Sequence, residues 1–180
     1  MVYLFLAEGF EETEAIVTTD ILRRGYVDVK TVSVSGDKAV TGAHGITVMA
    51  DISINEVKKA DAEAFILPGG MPGTKNLAES EEVKELLLYG YENEKLVCAI
   101  CAAPSVLGKY GILKGRRAVC YPGFEDFLDG AKVYETPVMH DGNVITSRGA
   151  GTAHLFAEEI LVALKGELVA EPVLKGMLYE

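Results

Sequence analysis

Short, continuously apolar runs alternate along this chain with longer stretches in which apolar residues recur every three or four positions. That alternation is the mark of a parallel sheet whose strands are joined by helices packed on its faces. Residues 2–7 predict a buried first strand, and residues 11–24 a helix in which Ile16, Val17, Ile21 and Leu22 recur at helical spacing. Acidic residues fill the first turn of that helix and Gly25 stands just past its end, as helix termini favour. Residues 27–34 alternate apolar and polar positions and predict a second strand, closed by the turn Ser35-Gly36-Asp37. Residues 40–50, interrupted by Gly42 and Gly45, predict an antiparallel excursion at a sheet edge.

A buried strand over 64–67 stops at Pro68-Gly69-Gly70, so a strand end coincides with a backbone-permissive loop. Ser80 then predicts an N-cap for a helix reaching about residue 93, with Val83, Leu86 and Leu87 as its buried stripe. Residues 96–100 predict another buried strand, ending at Cys101. Helical composition returns over 102–110, with Pro104 tolerated in a first turn. Short strands are expected over 117–120, 132–134, 138–140 and 144–146, with Asp141-Gly142 as a hairpin turn. The most regular helix is expected over 153–165, N-capped by Thr152, and a weakly helical tail over 168–178 despite Pro172. The expectation is therefore an α/β fold in one domain, residues 1–180, with no internal repeat or linker.

Composition narrows the function. With 49% hydrophobic residues the chain is not disordered, and 27 Asp+Glu against 17 Lys+Arg give a net charge of −10. Nucleic-acid binding is disfavoured because phosphates need clustered basic residues, and the pairs Arg23-Arg24, Lys58-Lys59 and Arg116-Arg117 read as solvated surface. No basic leader opens the chain, so it is expected to start at Met1 unprocessed. No apolar run approaches the ~18 residues that span a bilayer, so no membrane contact is expected. Three cysteines, an odd count without an export signal, fit a reducing cytoplasm better than a disulfide framework.

In open parallel sheets, ligands bind beyond the carboxyl ends of the strands. Cys101 stands where a strand gives way to a helix, so the turn should lift its sulfur out of the sheet like a nucleophile elbow. The helix N-terminus is expected to favour the thiolate. Cys98 reads as core: three strand residues put its Cα about 10 Å from that of Cys101, beyond the ~7 Å that a disulfide allows. Cys120 reads as core or site rim. Structural zinc would need four ligands, and no second cysteine pair or close histidine pair supplies them. Glu11 and Glu12 are explained by the helix dipole. Glu14 lies on or beside the apolar stripe, where burial would raise its pKa and fit it for proton transfer, or where it would remain one more carboxylate of the first turn. Gly69 and Gly70 would let backbone N–H groups approach a ligand, as an oxyanion hole requires. Gly149-Ala150-Gly151 lacks the third glycine of a dinucleotide fingerprint, which excludes that binding mode, and Arg148 just before it is a candidate ligand for an anion or carbonyl. His44, His140 and His154 fall in no motif and read as surface or strand-end residues.

Four segments together resemble the ThiJ/PfpI superfamily and, within it, the DJ-type branch. They are Leu6-Ala7-Glu8-Gly9-Phe10-Glu11-Glu12-Thr13-Glu14, Leu67-Pro68-Gly69-Gly70, Ala99-Ile100-Cys101-Ala102-Ala103-Pro104 and Thr146-Ser147-Arg148-Gly149-Ala150-Gly151-Thr152. The resemblance implies a flavodoxin-like three-layer sandwich with a mostly parallel sheet, forming a homodimer. It implies that Cys101 is the reactive cysteine and that Glu14 is a protonated carboxyl bonded to its thiolate. The N–H groups of Gly70 and Ala102 would form the oxyanion hole. Glutathione-independent glyoxalase or protein deglycase activity follows, on small aldehydes such as methylglyoxal and glyoxal or on glycated proteins, with no metal or organic cofactor. A non-catalytic redox sensor or chaperone acting through oxidation of Cys101 is the alternative. Three departures matter. Ala102 stands where protease-like members place a histidine, which disfavours peptidase activity, and His154-Leu155-Phe156 does not fit the amidotransferase pattern. Tyr121 replaces a site histidine of some DJ-type members. Its phenol can hydrogen-bond a substrate carbonyl but shuttles protons poorly, so turnover is expected to be slow.

Overall fold

The computed structural model describes residues 1–179. The alternation of runs is realised as β1 (Val2–Leu6), α1 (Glu12–Arg24), β2 (Val29–Ser33), the hairpin β3 (Ala39–Thr41) and β4 (Thr47–Met49), and β5 (Ile52–Ser53). There follow β6 (Ala64–Leu67), α2 (Gly73–Glu79), α3 (Glu81–Glu92), β7 (Leu96–Ile100) and α4 (Pro104–Lys109). The remainder is β8 (Arg117–Ala118), β9 (Lys132–Val133), β10 (Val138–Asp141), β11 (Val144–Ser147), α5 (Ala153–Lys165) and α6 (Glu167–Gly176).

Seven strands form one sheet in the order β10-β11-β7-β6-β1-β2-β5. All pairs are parallel except β10 with β11, which the Asp141-Gly142 turn makes an antiparallel hairpin. Strand periodicity sends alternate residues to opposite faces. In β7, Cys98 and Ile100 pack with Ala15, Ile21, Phe156 and Ile160 of α1 and α5. Val97 and Ala99 pack on the other side with Leu77, Leu87 and Val106 of α2, α3 and α4. The result is helices on both faces of a mostly parallel sheet, as the sequence predicted.

Several elements differ from expectation. The excursion at 40–50 is antiparallel but forms its own two-stranded sheet, and β5, which the sequence pattern hid in two residues, takes the edge instead. Likewise β8 and β9 pair with each other, not with the main sheet, and the strand expected to reach Cys120 stops at Ala118. Helix α2 was not foreseen. It has seven residues and buries one large apolar side chain, Leu77, too little for a periodic signal. The tail, by contrast, is helical as expected, with Pro172 inside it, and Ala170 and Leu174 are buried in the α1 and α5 layer.

Ser80 caps α3 as predicted, its Oγ accepting the Val83 N–H at 3.2 Å. Ser80→Ala should leave that donor unpaired and lower unfolding free energy by about 1 kcal/mol in a urea titration, with the m-value unchanged.

Candidate active site

The carboxyl ends of β1, β6, β7 and β11 converge on Cys101. At the end of β7 the backbone turns sharply, with Cys101 at φ +65°. A non-glycine residue there costs on the order of 1–3 kcal/mol, so its neighbours must fix it. Its N–H donates to the Ser147 carbonyl at 3.0 Å and its carbonyl accepts the Tyr121 N–H at 2.8 Å. The turn leaves Cys101 partly exposed.

Glu14 points inward from the first turn of α1 and is only 1% exposed. Glu11, at the N-cap, accepts the Glu14 N–H at 2.7 Å and sets the register of that turn. Oε2 of Glu14 accepts the Gly69 N–H at 2.7 Å. Oε1 is buried without a hydrogen-bond partner among the described residues, and the Cys101 thiol lies close enough to the carboxyl to act on its charge. Burial raises the Glu14 pKa to about 7, with the Gly69 N–H opposing and the Glu11 charge adding to the rise. The inward-facing alternative for Glu14 is therefore the one that holds.

The expectation that a helix N-terminus favours the thiolate needs correction. Helix α4 has six residues and begins three positions beyond Cys101. Burial first, then the Glu14 charge, push the Cys101 thiol up to about 12. What opposes this is local: the backbone N–H groups of Ala102 and Gly70, both directed at the sulfur. The loop residues that allow it are glycines for definite reasons. A Cβ on Gly69 would lie 2.6 Å from that of Cys101 and 2.9 Å from Glu14 Oε2. Gly70 sits at φ +87°, and a Cβ there would lie 2.5 Å from the Glu11 nitrogen.

The other candidates are distributed around this centre. Tyr121 is half exposed, its ring against the backbone of Gly149. Arg148 donates to the Glu135 carbonyl at 3.3 Å and its charge acts on Cys120. Cys98 is fully buried in β7, and Cys120 is core, 4% exposed, with a thiol that burial raises to about 11. Thr152 stands at the α5 N-cap position, but its side chain does not cap the helix. Its hydroxyl instead donates to the Gly149 carbonyl at 2.9 Å and meets Ser147 Oγ at 2.7 Å, closing the loop beside the elbow.

The histidines are all committed elsewhere. His140 bonds Glu159 at 2.8 Å, His154 stacks on Tyr179 with centroids 4.6 Å apart, and His44 bonds Glu12 at 2.8 Å. Sequence reasoning missed the role of Glu12, which is buried and accepts the backbone N–H groups of His44 at 2.7 Å and Ile46 at 3.3 Å. It ties the β3–β4 loop to the start of α1. No local pattern signals a bond across 32 residues. Glu11, Glu12 and His44 bring ligand atoms within 4.8 Å of one another, yet these hydrogen bonds already occupy Glu12, so the group serves the loop.

Among the described residues no helix is long and apolar enough to cross a membrane. The fold matches solved structures closely. A DJ-1 superfamily protein from Salmonella typhimurium superposes with a TM-score of 0.95 at 36% identity, covering 99% of this chain and 98% of that one. The crystal structure of Drosophila melanogaster DJ-1beta gives 0.93 at 36% identity, covering 99% and 97%. In sequence, the Drosophila protein dj-1beta is 37% identical over 177 residues, 97% of this chain and 95% of the relative. A Caenorhabditis elegans relative named glutathione-independent glyoxalase DJR-1.2 is 36% identical over 172 residues, 94% of this chain and 91% of its own. A sequence model of the DJ-1/PfpI family matches residues 1–163, and with that breadth of agreement the chain belongs to the DJ-1/PfpI family.

Proposed function

We propose that this protein is a cysteine-dependent, glutathione-independent glyoxalase that converts 2-oxoaldehydes such as methylglyoxal to 2-hydroxy acids, and that the same thiol can act on their early protein adducts. The observation that carries the reading is the buried Glu14 carboxyl beside the Cys101 thiol, one oxygen fixed by Gly69 and the other without a partner among the described residues. Family membership and the activity in one relative's name support it.

In this reading the Cys101 sulfur attacks the aldehyde carbon as the Glu14 carboxylate takes the thiol proton, forming a hemithioacetal. The aldehyde oxygen, now charged, enters the space faced by the Gly70 and Ala102 N–H groups. Glu14 returns the thiol proton to that oxygen and, again a carboxylate, takes the proton of the former aldehyde carbon and delivers it to the neighbouring carbonyl carbon through an ene-diol, while the hydroxyl proton passes to the neighbouring oxygen, leaving a thioester. Water cleaves it, restoring the thiol and releasing lactate, so methylglyoxal plus water balances the product. Neither a metal nor an organic cofactor takes part. The mechanism needs one proton shared between Glu14 and Cys101, and burial arranges this: the pair gives up its first proton near pH 7 and holds the second to about 12. A protonated Glu14 beside a thiolate, the arrangement implied by the family resemblance, differs only in which atom carries that proton.

The test is a proton NMR time course of purified protein with methylglyoxal and no glutathione. Lactate above the level given by a Cys101→Ser control is expected; equal traces would overturn the reading.

We also propose that the chain works as a homodimer through the face of α1 and the β3–β4 hairpin. Ile16, Ile46 and Met49 stand exposed there, and Arg24, already paired with Asp20 at 2.8 Å, borders it. Sedimentation equilibrium should give twice the 19.3 kDa chain mass, and Ile46→Glu combined with Met49→Glu should return the monomer.

A further inference from the structure

Two large apolar side chains that the reaction described above gives no part stand exposed on the loops whose backbone holds Cys101. Tyr121 is 50% exposed and Met71 53%. Met71 directly follows Gly70, whose N–H faces the sulfur, and the Tyr121 N–H is fixed on the Cys101 carbonyl at 2.8 Å. The Tyr121 ring is held as well. Its Cδ2 and Cε2 lie 3.2 and 3.7 Å from where Gly149 would carry a Cβ, so one side of the ring lies against backbone. Half of the residue is nonetheless open to solvent. Its hydroxyl has no hydrogen-bond partner among the described residues.

We infer that Tyr121, with Met71, selects 2-oxoaldehydes bearing a planar apolar substituent, aryl above all, over glyoxal. The inference rests on the glyoxalase reading and names its substrate class. A ring clamped on one side and wet on the other gains most from a planar group that covers it, since offset stacking adds to burial of the same area. Polar alternatives are poorly served. The nearby guanidinium of Arg148 is turned to the Glu135 carbonyl, and the charge coupled to Glu14 is another carboxylate, Glu11, so an anionic substituent meets like charge. The ring, not the phenol hydroxyl, is the specificity element.

The experiment compares kcat/KM for phenylglyoxal, methylglyoxal and glyoxal in wild type, Tyr121→Phe and Tyr121→Ala. Apolar substituents are worth about tenfold or more in such sites. The phenylglyoxal-to-glyoxal ratio should stay high in Tyr121→Phe and fall about tenfold in Tyr121→Ala, mainly through KM. A ratio unchanged in Tyr121→Ala, or lost equally in Tyr121→Phe, overturns the inference. A parallel measurement does not depend on turnover: alkylation of Cys101 by phenacyl bromide against bromoacetone, each rate divided by that for free cysteine and read by intact mass. Should wild type turn over none of the dicarbonyls, the glyoxalase reading fails, and this alkylation ratio decides the ring's role. An aryl preference that disappears in Tyr121→Ala sustains it, and equal rates for the two reagents overturn it.

Discussion

Replacing Cys101 by serine is expected to bring lactate formation down to the uncatalysed background, a loss on the order of 10³-fold or more. The substitution is nearly isosteric, so the strained turn at φ +65° and its bonds to Ser147 and Tyr121 remain. Chemistry is what goes. A hydroxyl gives up its proton far less readily than a thiol, and Glu14, with a pKa near 7, is too weak a base to remove it. The NMR assay measures the loss, and a denaturant titration should place the variant within about 1 kcal/mol of wild type, as expected for a change that buries no new group. Cys98→Ser separates the two effects. That thiol is wholly buried in β7, so a hydroxyl there goes unpaired and stability should fall by about 1–3 kcal/mol, while turnover of the folded protein persists.

How much of the fold is legible in the sequence depends on the range of the interactions involved. The main strands and α1, α3 and α5 were legible because each buries a stripe or a continuous run, and that leaves a period in the chain. Strand β5 and helix α2 were not, since two residues and seven residues with one buried Leu77 leave no period. The departure of β3–β4 and β8–β9 from the main sheet is a matter of which partner each finds, which local alternation does not encode. Pro172 did not break the helix expected over 168–178. A local rule against proline gave way to the packing of Ala170 and Leu174.

The site divides in the same way. Cys101 and Glu14 were found by position: one after a strand, the other on the inner side of a helix. Gly70 followed from its permissive loop and Ala102 from the family resemblance, and their N–H groups do face the sulfur. The environment of the thiol was not legible, because its pKa is governed by burial and by a carboxyl 87 positions away in the chain, and those outweigh a six-residue helix. Thr152 was expected to cap and instead closes a loop with Ser147 and Gly149, contacts available only once β11 has brought that loop beside the elbow.

Glu14→Gln carries the second large effect. Glutamine keeps the length and shape of the side chain, and its amide oxygen can still accept the Gly69 N–H now held at 2.7 Å, so the site should assemble as before. It cannot take up the thiol proton or carry one between carbons, and loss of a positioned acid–base group costs about 10²–10⁴-fold. The pH profile identifies the role. In wild type the active form holds Glu14 as carboxylate, so kcat/KM should rise with pH through about 7 and then level, since the thiol holds its proton to about 12. The Glu14→Gln variant should lose that limb, retaining a low rate with no inflection there. Stability moves the opposite way. The folded protein keeps the Glu14 proton to about 7, whereas an ordinary glutamate loses it at 4.5. Folding therefore takes up a proton between those values. This stabilising contribution is complete below pH 4.5 and is lost as pH rises through 7. Denaturation of wild type and Glu14→Gln across pH 4 to 8 should show the wild type losing ground relative to the variant over that interval. A constant difference between them would mean that the buried carboxyl is already charged at acid pH and cannot hold the proton the mechanism assigns to it.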